Sequence, residues 1–156
     1  MLRNNLEKAL KLSSPIVNDY YRAVVSIAYL NCVILQDLES YLATYNLTYP
    51  QFNILRILKG QHPNGVKLSL IKERMLHKQS DVSRLVNRLL LMNLLTKEDD
   101  EFNKRSLSIK LSDEGFELIN KIEISEEHFG SITKIFNQHE IHTLNLMLDK
   151  LVGTQL

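Results

Sequence analysis

Apolar residues at Leu68, Ile71, Met75 and Leu76 fall at helical steps, with Ser69, Lys72, Glu73 and Arg74 opposite them. A second helical pattern spans residues 79–92. Here Val82, Leu85, Val86, Leu89 and Leu90 make one face, and Ser80, Asp81, Ser83, Arg84, Asn87 and Arg88 the other. Only His77 and Lys78 separate the two patterns, so the helices must cross steeply, as in a helix-turn-helix. The period then changes to two. Residues 106–111, Ser-Leu-Ser-Ile-Lys-Leu, alternate as a half-buried strand does, and Leu94 and Leu95 begin a shorter partner strand. Residues 98–105 between them read as a polar hairpin loop. Helix, turn, helix and hairpin together predict a winged helix-turn-helix.

The flanks are helical by the same criterion. Residues 2–12 read as a short amphipathic helix. Ser14 as cap and Pro15 at the first helical position predict the start of a long helix reaching about residue 45. That helix is apolar over much of its circumference, at Ile16, Val17, Tyr20, Val24, Ile27, Leu30, Val33, Leu38 and Leu42 among others. A helix on the surface of a monomer needs one apolar stripe. The excess predicts contacts on two sides, one within the domain and one with a second chain. Asn46-Leu47-Thr48 ends this helix and caps the next, which holds Pro50 in its first turn and runs to about residue 59. Residues 60–65 are a loop by composition, and Val66-Lys67 is a candidate third short strand. From Phe116 a long helix is predicted to about residue 137, with Gly130 marking a bend, and a last helix ends at Gly153. The expected fold class is mainly α with a small β-wing. A winged helix-turn-helix head at 46–112 is joined to a helical dimerisation lobe from both termini, 1–45 and 113–156, in one domain.

Composition leaves that picture standing. The 156 residues are 44% hydrophobic and 24% charged, enough for one ordinary core. The net charge is only +1, but it is unevenly placed. Residues 60–112 hold ten Lys/Arg against six Asp/Glu, net +4; residues 113–156 hold three Lys against eight acids, net −5. A basic middle suits a duplex-facing head, and solvated helix faces are the plain alternative. The single cysteine, Cys32, excludes an intramolecular disulfide framework and is expected to be a buried structural thiol. The chain turns polar by its fourth residue and shows no uninterrupted apolar run near 18 residues. No signal peptide, no membrane partner and a cytoplasmic location are therefore expected.

Several short runs resemble the MarR family of bacterial transcriptional regulators. Residues 93–97, Asn-Leu-Leu-Thr-Lys, stand where the family has Gly-Leu-Val-x-Arg. Residues 103–105, Asn-Lys-Arg, match Asp-x-Arg, and residues 111–115, Leu-Ser-Asp-Glu-Gly, match Leu-Thr-x-x-Gly. Upstream, residues 47–52, Leu-Thr-Tyr-Pro-Gln-Phe, match Leu-Thr-x-x-Gln-Phe, and the resemblance extends over about residues 16–152. It implies a two-fold homodimer built from the terminal helices and double-stranded DNA as partner. It also implies a minor-groove role for Arg105, which holds the arginine position of the Asp-x-Arg motif.

The residues themselves nominate the rest of the interface. Lys78, Gln79, Ser80, Ser83 and Arg84 lie at the front of the second helix, where side chains can bond base edges or phosphates. Ser80 is equally a cap, and Asp81 reads as a first-turn anion rather than a contact. Arg88 is either a phosphate contact or half of a surface ion pair. Lys97 and Lys104 are candidate phosphate partners. The acids at 98–101 oppose a close wing approach, so affinity resting on the helix alone is the alternative. Residues 90–92 are apolar where the family usually shows charge, and Asn93 replaces a glycine at a helix stop, a left-handed position Asn tolerates. Tyr20, Tyr29, Tyr45, Tyr49 and Phe52 are candidates to line a site for a small aromatic effector, or else they pack at a dimer interface. His139 and His142 miss zinc-protease spacing, and no phosphate-loop, dinucleotide or nucleophile-elbow motif occurs. Neither an enzyme, a metal site nor a cofactor is expected. The competing class is a winged-helix protein–protein interaction module that has lost specific DNA binding.

Overall fold

The computed structural model describes residues 5–76, 81–100, 103–122 and 135–154; the side chains of 99, 100 and 103–106 are outside that description. Described in chain order are α1 (Asn5–Ala9), α2 (Asp19–Ala43), α3 (Tyr49–Lys59), α4 (Leu68–Arg74), α5 (Val82–Leu91), β1 (Leu95–Asp100), β2 (Asn103–Leu111), α6 (Asp113–Lys121) and α7 (Gln138–Gly153). The expected class, mainly helical with a small β-wing, is the one observed. The chain divides into two compact units, residues 39–127 and residues 1–38 with 128–156.

Unit 39–127 is built around α3, which packs against α4, α5, α6 and β2. Its fully buried side chains include Leu42, Ile54, Leu55, Leu58, Ile71, Val86 and Leu89. α3 starts as its sequence predicts. Gln51 reaches back, and its Oε1 accepts the Thr48 amide at 2.9 Å and the Thr48 hydroxyl at 3.0 Å. The wing is an antiparallel pair with Leu95 opposite Leu111 and Lys97 opposite Ile109. It is longer than expected, because much of the polar stretch 98–105 belongs to the strands. The backbone ladder needs no apolar side chains, and an ion pair between Glu98 and Lys110 joins the strands on the face opposite Lys97. The proposed third strand reduces to one bridge, Val66 to Ile109.

Left-handed residues end two of the unit's helices. Asn46 and Asn93 both have φ 57°. In each case the amide of the following leucine reaches back five residues, Leu47 to Leu42 and Leu94 to Leu89. The asparagine amide bonds three residues back, which completes a Schellman motif. Asn93 therefore does the work expected of a glycine. Ser112 then ties this stop to α6: its hydroxyl donates to the Asn93 carbonyl at 2.6 Å and accepts the Gly115 amide at 2.9 Å. A Cβ on Gly115 would stand 2.0 Å from the Leu94 carbonyl oxygen, so only glycine fits. This junction carries α6 into the head unit, which reaches past the expected limit at residue 112. The helix expected to continue to about residue 137 leaves helical geometry at Ile122, which is buried although no glycine or proline marks the stop. Residues 123–134, Gly130 included, lie outside the description.

The other unit contains α1, α7 and residues 19–38 of α2. Glu7 organises its N-terminal end. The carboxylate accepts from the Arg22 guanidinium and, at 3.2 Å, from the Ile16 amide. Burial raises its pKa, but the bonds from Arg22 and from its own and the Ile16 amides outweigh that, and the carboxyl sits below its ordinary value. The tie to Ile16 holds the chain after Pro15 out of the helix. α2 therefore starts at Asp19, not at Pro15, with Asn18 Oδ1 accepting the Tyr21 amide at 2.9 Å. α2 displays Val17 just before it, then Tyr20, Tyr21, Val24, Ile27 and Leu30. α7 has no buried residue and exposes Leu146, Met147, Leu148, Leu151 and Val152. Cys32, expected to be buried, is exposed on α2 because the chain's own atoms leave that surface bare. By length and composition alone α2 is long and apolar enough to cross a membrane, a test that the core helix of a soluble protein also passes. Counting uninterrupted apolar residues missed this, since Ser26, Asn31 and Gln36 break the run without lowering its average enough.

Candidate nucleic-acid interface

α5 is the exposed edge of the head's helix pair. Its apolar face inserts Val82, Val86 and Leu89 into the core. The opposite stripe, at steps of three, four and seven, carries Arg84, Asn87, Arg88 and Leu91, all exposed. The helix begins later than residue 79, because Asp81 takes the cap: its carboxylate accepts the Arg84 amide at 3.1 Å. Asp81 is thus a cap at the positive helix end, as its charge favours. Ser83 is half-buried in the first turn. Lys78, Gln79 and Ser80 lie outside the described residues.

Among the described residues neither Arg84 nor Arg88 has an acidic partner. Two unneutralised guanidiniums on one helical stripe make a surface suited to phosphates and to guanine edges. Lys97 extends it. Its ammonium donates to Asn87 Oδ1 at 3.4 Å, which links the base of β1 to α5. Glu98 faces the other side of the sheet and is occupied by Lys110. The acid beside Lys97 therefore opposes this surface less than the sequence alone suggests. Lys104 and Arg105 are in β2, not in a loop, with their side chains outside the description.

The aromatic candidates are divided between the two units. Phe52 is 5% exposed and belongs to the head's core. Tyr45 is half-buried and meets Tyr41 edge to face, ring centres 5.4 Å apart and hydroxyls at 3.2 Å. Tyr49 is half-buried at the start of α3. Tyr20 and Tyr29 belong to the other unit, where Tyr20 is 88% exposed. A cleft of about 440 Å³ in that unit, lined by Glu7, Lys8, Lys11, Leu12 and residues 13–15, holds none of these rings. Among the described residues no group of three metal-ligating side chains occurs. Glu140 of the His139–His142 run is committed to capping α7, where its carboxylate accepts the Asn137 amide at 2.9 Å.

A family model described as the MarR family matches residues 45–106. The transcriptional regulator MgrA of Staphylococcus aureus is 32% identical over 108 residues, covering 69% of this chain and 71% of that protein. The chain belongs to the MarR family. Among solved structures, a mutant MarR from E. coli complexed with operator DNA superposes with TM-score 0.74 at 19% identity, over 88% of this chain and 99% of that one. The organohalide-sensing regulator RdhR in its 2,4-dichlorophenol-bound form gives TM-score 0.76 at 22% identity, over 92% and 87%. These likenesses show the winged-helix fold. This MarR-family protein is a DNA-binding transcription regulator and not an enzyme.

Sequence reasoning passed over three residues that the structure brings forward. Asn87 was legible as part of the polar face, but its bond to Lys97 needs the hairpin folded back on α5. In the sequence Leu91 is only part of the apolar run 90–92, and it is exposed. In the sequence Ser112 is only part of the family-like run 111–115, and it caps α6 and also holds the end of α5.

Proposed function

We propose that this MarR-family regulator is a homodimeric, ligand-responsive repressor that binds a pseudo-palindromic operator. α5 enters the major groove, and the wing lies along the adjoining backbone and minor groove through Lys97, Lys104 and Arg105. The observation that carries this reading is the α5 stripe, with Arg84 and Arg88 exposed and lacking acidic partners among the described residues. Lys78, Gln79, Ser80 and Ser83 are assigned to the same contact by their place at the front of α5. The apolar residues bare on α2 and α7 support a second copy of the chain as their cover. Two reading heads would then meet successive major grooves about 34 Å apart. Such a protein works in the cytoplasm.

Ligand response is supported by RdhR, whose structure contains 2,4-dichlorophenol. In this chain Tyr20 and Tyr29 of one unit and Tyr45, Tyr49 and Phe52 of the other are the rings we assign to a small aromatic effector. A ligand that favours a different head separation would release the operator.

The test is a salt series with a fluorescent fragment from upstream of the protein's own gene, competed with unrelated DNA. Tight, competitor-resistant binding with a log–log salt slope of roughly −0.9 per phosphate contact is expected. Salt-insensitive capture of a protein, with no DNA selected even from a random pool, would instead mark an interaction module.

A further inference from the structure

α5 ends in a residue that its own fold does not use. Leu91 is 86% exposed, while Leu89, two positions earlier, is fully buried. Seven residues separate Leu91 from Arg84, so the two point the same way, with Asn87 and Arg88 between them on the stripe. Between Arg84 and its end α5 has no acidic residue, and Lys97 is tied to its side through Asn87. An apolar side chain set within cations suits a polyanion that also offers an apolar group. In the major groove that group is the 5-methyl of thymine.

We propose that Leu91 is a specificity-determining residue that packs on a thymine methyl, beyond the base contacted by Arg84. The inference rests on the operator-binding reading above and names one of its base contacts. Seven residues of helix span roughly 10 Å. At ~3.4 Å per step, the thymine lies about three base pairs from the position read by Arg84. Leu91 is 86% exposed, so Leu91→Ala removes little packing and should leave folding intact.

The probe is a duplex selected by the wild-type protein from a randomised pool, with each thymine replaced in turn by deoxyuridine. This removes one methyl and leaves base pairing unchanged. Wild type should lose about fourfold in affinity, the worth of one buried methyl group, at one thymine per half-site. Leu91→Ala should bind that site more weakly and be indifferent to the same replacement, while Leu91→Met retains it. Arg84→Ala should relax selection about three base pairs away. Wild type indifferent to every replacement, Leu91→Ala still sensitive, or Leu91→Ala weakened equally on all duplexes would each overturn the assignment while leaving operator binding in place. Failure of the wild type to select any duplex would overturn both readings.

Discussion

The head and the terminal helices treat their apolar residues in opposite ways. In the head, α3 lies among α4, α5, α6 and β2, and its apolar face is covered by them. In the other unit, α2 and α7 leave tyrosines, valines and leucines bare. The core of the head is covered by its own chain. The terminal helices leave apolar surface for a cover from outside, and in the homodimer we propose a second copy supplies it. The difference separates two kinds of stability: one intrinsic to the fold, the other set by concentration.

The contrast is broken most strongly on α2. Leu30→Glu puts a charge on the exposed face and, in a two-fold dimer, does so twice. A loss of roughly 3 kcal/mol or more of association free energy is expected, over a hundredfold in the dimer Kd, with near-native helical content. Sedimentation and circular dichroism measure both, and an unchanged dimer would detach this face from assembly. In the head the strongest counterpart is Gly115→Val, which forces a Cβ into the Leu94 carbonyl. It should cost about 1–3 kcal/mol or more in chemical denaturation. Arg84→Ala should weaken operator binding by about 1–3 kcal/mol and relax one base position, whereas Arg88→Ala should reduce the salt slope by about 1.

Glu7 supplies a pH-dependent contrast. Its carboxyl is held below the ordinary value, so its contribution is complete above the unfolded pKa of about 4.3. It is lost as pH falls through the lower folded value. Melting curves of wild type and Glu7→Gln should therefore differ at neutral pH and converge in acid; a constant gap would mean the Arg22 tie carries no linkage. The smallest effect is expected at Asn93→Gly, which relieves a left-handed asparagine and should raise stability by up to ~1 kcal/mol.

Much of this was legible in the residues. Helical spacing at 68–76 and 79–92 and alternation at 106–111 report which side chains must leave water, and a helix, a helix and a strand form there with shifted ends, at Leu68–Arg74, Val82–Leu91 and Asn103–Leu111. Local capping was legible too at Thr48-Tyr49-Pro50-Gln51 and at Asn93, because such bonds join near neighbours. The α5 arginines were legible as the polar face of an amphipathic helix. Ser14-Pro15 misled, because a bond from the Ile16 amide to Glu7, nine residues away, outcompetes a local start signal. The wing was read too short, because backbone pairing does not register in side-chain hydrophobicity.

By itself the sequence determined the periodicities, the caps and the charge asymmetry, all of which act over a few residues. Only tertiary structure decided that Gly115 must be bare against Leu94, that Ser112 binds the end of α5, and that Lys97 meets Asn87 while Glu98 meets Lys110. It also decided that Cys32 and Leu91 face outward. Those facts depend on which surfaces the folded chain covers, and coverage is set by contacts between elements far apart in sequence.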